Sequence, residues 1–194
     1  WYTNYIARWC IDYCLKINDE IGGSNNKLMS EKEIKAMRHI VENVYFPVLE
    51  GTNIFLQQDG FMDKEQLSAN DLPLTERPIN QHWSWDRILR SIFIKQADVL
   101  QGLYLFEDQF DLETIRDNFD FYEPKTVHES SLSPCVHVIL AAKIGNLAKA
   151  YELYLRTSRL DLDDYNHEAD EGLHITSMAG TWMSVVEGMA GVRV

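Results

Sequence analysis

Cysteine, basic residues and long apolar runs are all scarce in this sequence, and each shortage excludes something. Of 194 residues three are cysteine, Cys10, Cys14 and Cys135. An odd, low count argues against a disulfide framework and fits a reducing cytoplasm. Cys10 and Cys14 stand four apart, the spacing of a helical metal or disulfide pair, but they read more simply as two small apolar residues on one helical face. Lys and Arg number 18 against 30 Asp and Glu, a formal net charge of -12. Such a surface repels nucleic-acid phosphates and anionic lipid, so neither is an expected partner. It leaves room for a small anion in a local amide-lined pocket. No apolar run is long enough to span a membrane, and no signal peptide is evident. The Walker and Gly-x-Gly-x-x-Gly patterns are missing, which argues against a nucleotide. No repeat recurs at a fixed period, which counts against a solenoid.

What is present is a foldable, helical sequence. Hydrophobic residues make up 45% and charged ones 25% of the chain, enough for one domain with a sizeable core and too apolar for disorder. Tyr5, Ile6, Trp9, Cys10, Tyr13, Cys14 and Ile17 recur at helical spacing, and Gly22-Gly23 should stop that run. Ser30 with Glu33 reads as a capping box opening a helix through Val44, closed by Pro47 and Gly51. Residues 52 to 82 lack a regular pattern, and a loop of that length is usually functional or covers something. Helix is expected to resume near Trp85-Asp86 and run through Leu103. Asp111 should cap a helix over Leu112 to Tyr122, and Ser133-Pro134 should start another through Ile144. Gly145-Asn146 then turns the chain back into Leu147 to Leu160, making a helical hairpin. A polar loop from Asp161 to Gly172 precedes a last helix over Thr176 to Met189. No strand ladder is expected. The chain begins without Met at Trp1 and ends without a tail at Val194, so it reads as a piece of a longer polypeptide.

Three polar clusters can carry chemistry. Lys95-Gln96 interrupts an apolar stretch expected to be helical; adjacent residues cannot share one face, so at least one of them should point to a polar cavity, the plainer reading being a solvated helix face. Lys offers three donors and Gln a donor and an acceptor, a good set for sugar hydroxyls. Thr126-Val127-His128-Glu129-Ser130-Ser131-Leu132-Ser133 sits just before a helix, where a rigid scaffold aims functional groups; the plainer reading is a cap by Ser131 or Ser133. Gly172-Leu173-His174-Ile175-Thr176-Ser177-Met178-Ala179-Gly180-Thr181 combines small residues, hydroxyls and helix-start amides suited to an anion, or is a capped helix with a core histidine. Metal ligation is weakly signalled: His137 near Cys135, and His167 near Glu168 and Asp170, lack a recurring ligand spacing. Asp161, Asp163 and Asp164 read as a solvated acidic loop. Trp83, Trp85, Phe121 and Tyr122 flank the polar loops and could stack on sugar rings, though most should be core.

In order and separation, Phe93-Ile94-Lys95-Gln96-Ala97-Asp98-Val99-Leu100, the Thr126–Pro134 cluster and the stretch from Gly172 to Trp182 resemble the inverting disaccharide phosphorylases of glycoside hydrolase family 65, the maltose, kojibiose and trehalose phosphorylases. The resemblance runs essentially the whole chain. It implies an all-α fold, with residues 1–194 as a single segment forming the C-terminal half of an (α/α)6 barrel within a central catalytic domain. It implies phosphorolysis with inversion: phosphate attacks the anomeric carbon of an α-glucoside and gives β-glucose 1-phosphate and a free sugar. An inverting hydrolase needs two carboxyls; phosphate is already anionic, so an anion pocket replaces the base and one general acid suffices. The resemblance places that Glu in a segment upstream of Trp1, leaving no catalytic acid to assign here. It matches Lys95 and Gln96 to the glucose-holding pair, His128 and Glu129 to a loop near the leaving sugar, and His174, Thr176, Ser177 and backbone near Gly180 to the phosphate pocket. The His-Glu-Ser-Ser wording resembles the maltose enzymes most. No cofactor or metal is implied, phosphate being a co-substrate, and a homodimer is. A non-catalytic helical-hairpin scaffold is the competing reading.

Overall fold

The computed structural model describes residues 1–21 and 28–193. Helix α1, Tyr2–Ile21, takes in the whole predicted periodic run; its expected stop at Gly22-Gly23 lies outside the described residues. Leu15 and Asn18 are buried, whereas Trp9, Cys10, Tyr13 and Cys14 are exposed. The apolar stripe that includes both cysteines therefore faces outward at its centre. At the start of α1, Trp1 stacks on Tyr5 and on Phe55 with ring centroids 4.7 and 4.6 Å apart, anchoring the helix to the segment around Phe55. Helix α2, Glu31–Asn43, opens on the predicted capping box: Glu33 N donates to Ser30 Oγ and Ser30 N donates to Glu33 Oε2. These bonds satisfy helix-end amides that would otherwise lack partners.

From Val44 to Pro78 the chain is irregular, as expected, with a single antiparallel bridge between Val48 and Phe55 and three short 3-10 turns. A loop carries unpaired backbone groups that need partners, and helix α6, Leu112–Tyr122, supplies them. Asn118 accepts from Phe55 N at 2.8 Å and donates to Asn53 O at 2.8 Å. Tyr122 Oη accepts from Gln57 N and donates to Phe55 O. Helix α6 itself starts where predicted, Asp111 Oδ1 accepting from Thr114 N at 2.7 Å. Short helices α3, Ile79–His82, and α4, Trp85–Arg90, follow the loop, and α5 spans Val99–Leu105.

Helix α7, Ser133–Lys143, is the core. Every residue from Ser133 to Ala141 is buried, the condition of a helix covered on all sides. Leu132 occupies its cap position without a side-chain bond, so neither Ser131 nor Ser133 is the cap. Gly145, at φ 84°, reverses the chain, and Asn146 caps the antiparallel partner α8, Leu147–Ser158. The last helix, α9, Ile175–Met183, passes into a π-helical segment over Ser184–Met189. Thr181 Oγ1 and Ser184 Oγ donate back to Ser177 O and Gly180 O, bonds that loosen a helical ladder. Two glycines seat this element on α7. A Cβ at Gly180 would lie 2.9 Å from Cys135 Cβ, and one at Gly188 3.4 Å from Ile139 Cα.

Candidate functional site

The first correction to the sequence reading concerns Lys95 and Gln96. They lie on no helix: α4 ends at Arg90, α5 begins at Val99, and the intervening segment is irregular, with bends around a single bridge residue at Ile94. Ile92, Phe93 and Ile94 are buried, and this β-branched and aromatic run suits an extended backbone better than a helix. Ile94 N donates to Lys125 O and Val127 N donates to Ile94 O, both at 2.9 Å, giving one parallel bridge between Ile94 and Thr126. That pairing explains the break, since Ile94 spends its backbone groups on a partner far along the chain. It also brings the exposed Lys95-Gln96 pair beside the Thr126–Ser133 cluster.

Within that cluster His128 is buried and adopts φ 55°, a left-handed conformation uncommon for a residue with a side chain. The turn sends its carbonyl to Arg156, whose Nη2 and Nε donate at 2.9 and 3.2 Å, and its imidazole into the protein. Nε2 lies 3.1 Å from Glu123 Oε2 and Nδ1 2.9 Å from Ser133 Oγ. His137, fully buried on α7, places Nδ1 2.6 Å from the same Glu123 oxygen. Burial, together with the neighbouring His137, pushes the His128 imidazole down to about 4 against the opposing pull of Glu123. Burial would raise the Glu123 carboxyl, but hydrogen bonds from His128 and His137 outweigh it and hold the group well below the ordinary carboxylate range. The resulting state is an ionised carboxylate whose Oε2 is the common acceptor of the two rings. Spacing along the sequence gave no sign of this trio. Its potential ligand atoms lie within 4.8 Å of one another, but separations of 2.6 and 3.1 Å are those of hydrogen bonds, shorter than the roughly 3.3–3.6 Å between two atoms that each stand roughly 2.0–2.2 Å from one tetrahedral zinc. Cys135, considered with His137 from the sequence, instead donates to Leu132 O.

Glu129 turns the other way. Its Oε2 accepts from Ile79 N at 2.8 Å, and its buried Oε1 has no hydrogen-bond partner. Burial raises its carboxyl, opposed by the Ile79 amide and by Arg77, Arg156 and Lys95. It lines a cavity of about 630 Å³ together with Arg77, Arg156, Tyr165, Asn70 and His167.

The two hydroxyls that follow close the gap between the other clusters. Ser130 Oγ donates to Gln96 Oε1 at 2.9 Å, and Ser131 Oγ lies 2.6 Å from Thr176 Oγ1. Gln96 and Thr176 line one cavity of about 410 Å³ with Gln101, Tyr104 and Leu132. Ser130 and Ser131, for which the sequence suggested no more than a helix cap at Ser131, thus join the first and third clusters. Of the four residues matched to a phosphate pocket, Thr176 alone lines this cavity. His174 is half-buried at the start of α9, its Nδ1 2.5 Å from Asp161 Oδ1 and its Nε2 3.7 Å from Glu168. Asp161 also accepts from His174 N, and these bonds overcome burial to lower its carboxyl. Ser177 is buried with its hydroxyl donating to Thr157 O, and Gly180 is packed against Cys135.

The packed helix pairs α1–α2 and α7–α8, joined by irregular segments, make an all-α segment of an (α/α)6 barrel. The chain belongs to glycosyl hydrolase family 65, whose central catalytic domain matches residues 1–183. Its relatives include disaccharide phosphorylases. It is 54% identical over its whole length to the maltose phosphorylase of Bacillus subtilis (strain 168), 38% identical to the alpha,alpha-trehalose phosphorylase of Thermoanaerobacter brockii, and 35% identical to the kojibiose phosphorylase of Halothermothrix orenii. Among solved structures, a candidate kojibiose phosphorylase from the human microbiome superposes with a TM-score of 0.90 at 37% identity, covering all of this chain and 26% of that one. The chain spans 26% of the length of these three curated relatives. No described helix is long and apolar enough to cross a membrane.

Proposed function

We propose that the protein carrying this chain catalyses inverting phosphorolysis of maltose, giving β-glucose 1-phosphate and glucose, and that residues 1–194 form a single segment, the C-terminal half, of its catalytic barrel. The observation that carries the reading is the cavity of about 410 Å³ faced by both Gln96 and Thr176, with Ser130 and Ser131 hydrogen-bonded to them. Lys95 and Gln96 hold hydroxyls of the transferred glucose, and Thr176 with His174 serves the phosphate side. Ser177 and Gly180 support that side from behind, by fixing α9 on α8 and α7. Glu129 faces the leaving sugar from the second cavity, while His128 acts from beneath the loop. The general acid belongs to a segment preceding Trp1, no cofactor or metal takes part, and the whole protein is a cytoplasmic homodimer.

The test is to incubate the full-length protein with maltose, kojibiose, nigerose or trehalose, with and without phosphate, and to determine the anomer of any sugar phosphate. Phosphate-dependent β-glucose 1-phosphate from maltose is expected, and Lys95→Ala should cut kcat/KM at least a hundredfold in a folded protein. The same product from another disaccharide alone would overturn the linkage, and none from any would overturn the function.

A further inference from the structure

The loop that joins the sugar-side and phosphate-side residues has no regular structure of its own, so something must hold its shape. Its backbone enters through the Ile94–Thr126 bridge and leaves into α7. Between those points lies a left-handed His128, a conformation that persists only where the surroundings over-determine it. The determinant lies beneath the loop. Glu123 Oε2 takes one bond from His128 Nε2 and one from His137 Nδ1, and Ser133 Oγ holds His128 Nδ1. An ionised Glu123 can only accept, so each imidazole donates one N–H to it, and the neutral His128 takes the Ser133 hydroxyl on Nδ1. Lys149 Nζ, 3.6 Å from the other Glu123 oxygen, balances its charge. His137 Nε2 is buried without a partner, so the ring is there for its single bond to Glu123.

We propose that Glu123 is a positioning residue, whose carboxylate, by bonding His128 and His137 together, fixes the 126–133 loop and so sets Ser130 and Ser131 against Gln96 and Thr176. The proposal rests on the phosphorolytic reading for its consequence but not for its geometry. Glu123 lies under the loop and does not line the cavity. Its effect passes through the backbone, and displacement of a site by about 1 Å can cost a hundredfold in rate.

A pair of substitutions in the full-length protein separates positioning from packing. In His137→Asn, the amide nitrogen takes the place of Nδ1 and keeps the bond to Glu123. His137→Leu fills the space but donates nothing. Positioning predicts kcat/KM for both maltose and phosphate within threefold of the parent in His137→Asn and at least tenfold lower in His137→Leu. Amide exchange over residues 126–133 should be at least fivefold faster in His137→Leu only. A packing role predicts the reverse order, and His137→Leu within twofold of the parent on both readouts would overturn the proposal. Should His137→Leu not fold, Ser133→Ala, which removes one hydroxyl, is expected to accelerate exchange and lower kcat/KM about fivefold; no change in either would overturn it. Stoichiometric zinc in the purified protein, with activity lost on chelation, would overturn it as well. If the parent phosphorolyses none of the four disaccharides, the functional reading fails, while the exchange rates still decide the role of Glu123.

Discussion

His128 shows how one residue can serve a loop through both its backbone and its ring. Its left-handed backbone gives a carbonyl to Arg156 while its neutral imidazole bridges Glu123 and Ser133. Burial, with His137 beside it, disfavours protonating that ring in place, and this sets the pH response. An unfolded histidine takes up a proton near 6.5, whereas the native ring does so only near about 4. Between those values the unfolded chain holds more protons, so stability falls as pH drops, by up to about 1.4 kcal/mol per pH unit for this group. Thermal unfolding of the full-length protein from pH 7 to 4.5 should show a falling Tm whose slope between pH 6.5 and 5 is reduced in His128→Gln; an unchanged slope would remove His128 as its source. At this scale the sequence is legible where chemistry is local. Ser30 with Glu33, and Asp111 with Thr114, announce their helix ends within four residues. Glu123 announces nothing, because its partners stand five and fourteen residues on and meet it only when the loop and α7 pack.

Elements were readable from the sequence to the extent that their own side chains decide them. Helices α2, α6, α7 and α8 form close to where periodicity and caps place them. The stretch from Trp85 to Leu103 does not stay helical, because Ile94 bonds across to Lys125 and Val127, and no local pattern reveals a partner some thirty residues away. The outward face of α1 and the π-helical end of α9 were equally hidden, one depending on what packs where and the other on hydroxyls bonding back to the helix. Close helix approach at Gly180 gives a prediction of its own. Alanine is the better helix former by about 1 kcal/mol, yet its Cβ would meet Cys135 Cβ at 2.9 Å and Sγ at 3.1 Å. Overpacking of this kind costs about 1–3 kcal/mol, so Gly180→Ala should lower the Tm of the full-length protein by a few degrees. A higher Tm in calorimetry would mean that α9 can slide along α7.

For the molecule as a whole, side chains that normally seek burial are uncovered. Trp85, Leu89, Leu173, Ile175 and Trp182 are each 60% or more exposed, more apolar surface than an isolated domain usually leaves in water. The isolated 194-residue chain is therefore expected to self-associate at micromolar concentration despite its charge of -12; sedimentation of a stable 22.5 kDa monomer would count against these faces being barrel interior. The family and its all-α architecture were legible from three motifs, whereas the division of those motifs between two cavities was not.

The bridge at Ile94 also bears on redesign. Because the stretch bearing Lys95 and Gln96 is stitched to the His-Glu-Ser-Ser loop by two backbone bonds, the two behave as one cassette. A graft that exchanges only residues 126–133 for those of a relative would seat a foreign loop on the native edge. Exchanging that loop intact calls for moving residues 91–98 along with it.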